Sequence, residues 1–137
     1  MKKITLYLSI LVLIGCGKAN SEKSSLSCPK NTNAQLIVHD NSEREYLIYV
    51  PNSYNQSLAT PMIINFHGFA ATASEYMRYA DMRSIAETEN FILVYPQGSC
   101  SDGLPHWNPC QRGGDNKSTA DDLGFIEAMI NDISSLY

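Results

Sequence analysis

Two short apolar runs constrain this chain more than any other feature. Met62-Ile63-Ile64-Asn65-Phe66 follows Pro61, and Phe91-Ile92-Leu93-Val94-Tyr95 is closed by Pro96. Neither run alternates polar with apolar residues, as a strand with one wet face would. Continuous apolar runs of this length suit strands buried on both faces, as in a mostly parallel sheet. Between them Ser74 can cap a helix running to about Glu89, with Tyr76, Tyr79, Ala80, Arg83 and Ala86 along one side. A second helix is expected after Ser118 or Thr119, with Asp121 and Asp122 at its positive end. Its apolar stripe would be Ile126, Met129, Ile130, Ile133 and Tyr137. The order strand, helix, strand, helix predicts an α/β fold with crossover connections.

Ahead of these elements, Gln35–His39 and Arg44–Val50 read as two strands joined by the turn residues Asp40-Asn41-Ser42, hence a hairpin. Residues 97–118 are rich in Gly, Pro, Ser and Asn and read as one long loop. Loops of that length are often functional.

The first sixteen residues belong to something else. Lys2 and Lys3 precede an eleven-residue apolar run, Ile4 to Ile14, which ends in Leu13-Ile14-Gly15-Cys16. A membrane-spanning helix needs about 20 residues, so the run suits the core of an export signal. Its end resembles a bacterial lipobox. That implies cleavage before Cys16, lipid attachment to Cys16, and a chain anchored at an outer membrane or cell surface; without the lipid it would be secreted. The Ser-, Lys- and Asn-rich residues 17–33 read as a flexible tether, leaving 34–137 as the folded part. From Cys16 onward eight Lys and Arg face fourteen Asp and Glu, a balance of -6, with no basic cluster. Nucleic acid is therefore not an expected partner.

His67-Gly68-Phe69 interrupts the sheet pattern directly after a buried run. Such a break can turn a backbone N–H into a cavity. Five segments then fall in order: Arg44–Pro51, Pro61–Phe69, Phe91–Gly98, His106-Trp107-Asn108 and Asp121–Ile126. Together they resemble the polyhydroxybutyrate depolymerase and feruloyl esterase family of α/β-hydrolases, over residues 35–137. The resemblance implies the N-terminal portion of an α/β-hydrolase fold: four strands, two helices and an oxyanion loop, with the third strand beside the fourth.

It further implies a carboxylic ester hydrolase working through a serine acyl-enzyme without a cofactor or metal, on a polyester or a plant-wall aromatic ester. The backbone of Phe69 would donate to the oxyanion, with Gly68 permitting the turn and His67 orienting it. His106 and Trp107 would belong to a substrate-side loop. The nucleophile of that family sits in a Gly-x-Ser-x-Gly elbow, and the sequence contains none. The chain is therefore expected to be truncated before the elbow and inactive alone. The competing expectation is a catalytically inactive surface lipoprotein that binds a carbohydrate or an ester.

Cys100 and Cys110 share the long loop, and an exported chain permits a disulfide between them. Zinc with His106 is the rival, but no second Cys/His cluster completes a tetrahedral set. Cys28 is left without an assigned partner.

Overall fold

The computed structural model describes residues 26–110 and 116–137. The export segment, Cys16 and the first part of the tether lie outside the described residues. β1 (Gln35–His39) and β2 (Ser42–Tyr49) form the expected hairpin, with Gln35 opposite Tyr46 and His39 opposite Ser42. Asp40 and Asn41 turn it with φ of 51° and 58°. A two-residue hairpin of matching twist requires that left-handed pair, and Asp and Asn tolerate it better than most residues.

β2 pairs antiparallel with β4 (Ile92–Pro96), and β3 (Met62–Ile64) pairs parallel with β4. The sheet order is β1-β2-β4-β3, so β3 lies at an edge of the described sheet. β4 is buried along its whole length, which is why its sequence lacks alternation. Ile92 and Val94 point to one side, where Tyr46 and the helix residues Phe125, Met129 and Ile133 cover them. Leu93 and Tyr95 point to the other, against Leu47, Ala73, Ala86 and Phe91. Each large apolar side chain buried this way contributes about 1.5 to 3 kcal/mol.

The expected helix over 74–89 is two helices, α1 (Ala73–Tyr79) and α2 (Arg83–Glu89). On one continuous helix Ala73 and Ala86 would lie about 140° apart around the axis. Breaking the helix at residues 80–82 lets both pack on the sheet. The break is stabilised by the Tyr95 hydroxyl, which donates to the Ala80 carbonyl at 2.8 Å. Asp81 Oδ1 accepts from the Arg83 amide at 3.1 Å. The cap of α1 is Thr72 rather than Ser74. Its hydroxyl accepts from the Glu75 amide, and the Glu75 carboxylate accepts from the Thr72 amide at 2.8 Å, a capping box.

α3 (Asp122–Leu136) is capped by Asp121, which accepts from the Gly124 amide at 3.1 Å, not by Ser118 or Thr119. Its buried face is Asp122, Phe125, Met129 and Ile133. The expected stripe is thus rotated toward Phe125, with Ile126 at its margin and Tyr137 exposed. The stretch expected to be one loop contains a small hairpin, β5 (Ser99–Ser101) and β6 (Leu104–His106). Asp102 and Gly103 turn it with φ of 51° and 78°.

The cysteine pairing differs from the expectation. Cys28 and Cys100 form the disulfide, with Cα atoms 5.8 Å apart, and Cys110 is free and exposed. The β5–β6 hairpin sets Cys100 opposite Pro105, and the backbone of residues 26–31 comes alongside it instead of Cys110. Part of the stretch expected to be tether is therefore fixed in the fold: Cys28 is bonded and Asn31 is buried. Among the described residues no helix is long and apolar enough to cross a membrane.

Candidate functional site

The Asn65 amide extends the β3–β4 pairing by donating to the Val94 carbonyl at 2.8 Å, and the chain then leaves the sheet. His67, next but one, is 3% exposed. Its Nδ1 lies 2.8 Å from the Gly68 carbonyl oxygen. Its Nε2 lies 2.9 Å from the Gly98 amide and 3.0 Å from Gln97 Nε2. An amide N–H only donates, so Nε2 must present its lone pair. The ring is therefore the neutral tautomer with the proton on Nδ1, donating to Gly68. Burial lowers its pKa below the ordinary 6.5, against smaller opposing effects of the Gly68 carbonyl and nearby Asp122 and Glu75. With Nε2 saturated by two donors, His67 has no site left to take a proton from a substrate. It fixes the loop and is not a base.

The loop is held on its other side by Trp107, whose indole N–H donates to the His67 carbonyl at 3.0 Å. The Trp107 ring meets Phe66 edge-on at 5.0 Å and lies 5.2 Å from the His67 ring. The Ala70 amide donates to the Pro105 carbonyl at 2.8 Å and the Ala71 amide to the Gly68 carbonyl at 3.2 Å. The amides of Gly68 and Phe69 have no acceptor among the described residues, and the Phe69 side chain is 60% exposed. Two adjacent free N–H groups just beyond the parallel β3–β4 pair are the arrangement that can receive a developing oxyanion.

The glycine expected to make this turn is not the strained residue. A Cβ on Gly68 would meet nothing within 4 Å, and the left-handed residue is Ala70, with φ of 63°. Steric need for glycine falls instead on Gly98, where a Cβ would stand 2.2 Å from the His106 carbonyl oxygen and 3.2 Å from the His67 ring.

His106, expected in a substrate-side loop, is a buried residue. It is 2% exposed, with Nδ1 3.2 Å from the Leu104 carbonyl and Nε2 3.0 Å from the Ser118 hydroxyl. The neighbouring residues converge on a carboxylate that sequence reasoning treated only as a dipole partner. Asp122 is 2% exposed and accepts from Arg44 Nη2 at 2.6 Å, the Ser99 hydroxyl at 2.8 Å and the Asn108 amide at 2.7 Å. The Arg44 guanidinium also lies 4.0 Å over the Phe125 ring. The Asn108 side chain donates to Ser118 Oγ and to the Ala120 carbonyl, both at 2.9 Å. This hub fixes the backbone next to Trp107, and through Trp107 the carbonyl of His67. His39, an unremarkable strand residue in the sequence, meets Asp121 at 3.1 Å.

A groove of about 380 Å³ lies elsewhere, lined among others by Cys28, Leu36, His39, Arg44 and Asp121; neither Gly68 nor Phe69 borders it. Comparison with protein families finds none that matches the chain, and comparison with curated proteins finds no match either.

Proposed function

We propose that the chain is part of a serine carboxylic ester hydrolase of the α/β-hydrolase type, similar to polyhydroxybutyrate depolymerases and feruloyl esterases. It would be held at a membrane by a lipid on Cys16 and would act on a short polyester or an aromatic plant-wall ester. The observation that carries the reading is the pair of free amides at Gly68 and Phe69, placed at the end of β3 and braced by a neutral His67. The sheet order, with an antiparallel β2 beside the parallel β3–β4 pair, supports it as well.

In this mechanism the two amides stabilise the oxyanion of the tetrahedral intermediate; one such donor contributes about 3 to 4 kcal/mol to the transition state. Trp107 and Phe66 offer aromatic surface beside it. Nucleophile, acid and base come from outside these residues. His67 lacks a free acceptor. Ser99 donates its proton to Asp122, and the His106 that Ser118 faces is buried.

The test begins with the DNA that follows codon 137. A Gly-x-Ser-x-Gly elbow, in frame or in a shifted frame, is expected there. The joined product should hydrolyse a nitrophenyl ester, methyl ferulate or polyhydroxybutyrate, and lose this when the elbow serine becomes alanine. Absence of any elbow remnant sinks the reading in favour of a ligand-binding lipoprotein. The 137-residue chain alone should show no turnover above a buffer blank; turnover that survives repurification would place a nucleophile within it.

A further inference from the structure

The segment that joins the tether to β1 reaches the free amides through three side chains. Asn31 is 8% exposed, in a stretch otherwise rich in exposed polar residues. Its Nδ2 donates to Gln97 Oε1 at 2.8 Å and to Glu45 Oε1 at 2.9 Å, and its Oδ1 accepts from the Ser74 amide at 2.8 Å. Gln97 Oε1 also accepts from the Ala73 amide at 2.9 Å. Two donors therefore fix which way the Gln97 amide points. With Oε1 turned to Asn31 and Ala73, Nε2 must face His67 Nε2. A flipped amide would aim its own N–H groups at both donors and leave all of them unsatisfied. Asn31, together with the Ala73 amide, in this way selects the Gln97 orientation that His67 reads.

Both ends of the cystine lead to the same ring. Cys28 stands three residues before Asn31, and Cys100 two residues after Gly98, whose amide donates to His67 Nε2. The exposed Lys30–Glu43 pair at 3.6 Å adds little to holding this segment. Cys100 is exposed and Cys28 half-buried, so a small dithiol can reach the bond.

We propose that Asn31 is a positioning residue for the Gly68 and Phe69 amides, and that the Cys28–Cys100 disulfide is a thiol-sensitive latch that keeps it in place. The geometry stands by itself; only its catalytic meaning rests on reading those amides as an oxyanion site. Opening the latch takes a dithiol reductant. Its thiolate attacks one sulfur to give a mixed disulfide, and its second thiol displaces the chain. The protein ends with two thiols, and the reductant is oxidised to a disulfide. Segment 28–31 is then released, Gln97 loses one of its two orienting donors, and one of the two N–H donors on His67 Nε2 is no longer held, the Gly98 amide being the other.

The experiment uses the full chain, labelled with nitrogen-15, in a Cys16→Ser/Cys110→Ser background that leaves Cys28 and Cys100 as the only cysteines. Oxidised protein should show the His67 ring nitrogens well separated, as a fixed neutral tautomer requires. Dithiothreitol treatment, with both thiols verified by mass, should bring these signals together. It should also speed hydrogen exchange of the Gly98 amide at least tenfold relative to Val94 in β4. Asn31→Ala with the disulfide intact should do the same, and it decides the matter if the reduced chain unfolds. Unchanged His67 signals in Asn31→Ala overturn the proposal. So does equal acceleration at Gly98 and Val94, which would mean general loosening rather than positioning. No readout involves ester hydrolysis, so failure here is separable from failure of the esterase reading.

Discussion

Replacing Arg44 with Met tests the buried hub most directly. Arg44 and Asp122 are 9% and 2% exposed and meet at 2.6 Å. Arg44 Nη2 also donates to the Gln97 carbonyl at 3.2 Å. Met fills much of the space of the Arg stem but leaves the Asp122 carboxylate with two neutral donors, Ser99 and the Asn108 amide, and no cation. Breaking a buried pair by removing one partner costs about 3 to 5 kcal/mol, because a charge is left uncompensated away from water. A small domain has only about 5 to 15 kcal/mol of net stability. With a urea slope of about 1 to 3 kcal/mol per molar, the midpoint should fall by about 1 to 5 M.

Urea unfolding followed by Trp107 fluorescence reads this, since that indole sits against His67 and Phe66. The double variant Arg44→Met/Asp122→Asn removes both charges and should be more stable than Arg44→Met alone. A loss below about 1 kcal/mol in Arg44→Met, or a double variant no better than the single, would falsify the claim that the pair compensates a buried charge.

The disulfide closes a sequence separation of 72 residues. In the chain-entropy model this corresponds to about 4 kcal/mol, so Cys28→Ser and Cys100→Ser should lose most of that while Cys110→Ser changes little. Non-reducing peptide mapping should recover a Cys28–Cys100 peptide; a Cys100–Cys110 peptide contradicts the fold. Acid should weaken the protein through His67, whose folded pKa lies below its unfolded value of 6.5. The unfolded chain then binds the extra proton first. The contribution is complete above about pH 7 and is lost between 6.5 and the folded pKa as pH falls, at no more than about 1.4 kcal/mol per unit. A His67→Gln variant with the same slope between about pH 7 and 5.5 would remove His67 as the cause. Cells fed radioactive palmitate should label the wild-type chain and not Cys16→Ser; equal label in both ends the lipoprotein reading.

The sequence by itself located β1, β2, β3, β4 and α3, because each carries a local signal: an apolar run, a period near 3.6 or a Pro at its end. It also placed His67-Gly68-Phe69 at a strand end. The Asp102-Gly103 turn was equally legible as a hairpin signal, though the surrounding composition reads as loop. What it could not show is which distant groups meet. Asp122 pairs with Arg44 across 78 positions, Asn31 with Gln97 across 66, and Cys28 with Cys100 across 72. Each polar partner, Arg44, Asp122, Asn31 or Gln97, looks like an ordinary surface or tether residue until the sheet brings it into a dry interior. There its cost when unpaired becomes large, and one partner alone fits. Spacing along the chain favoured Cys110 for Cys100. The hairpin that turns Cys100 toward the returning N-terminal segment decided otherwise, since disulfide choice follows the distance between Cα atoms in the folded chain and not the count of residues between them.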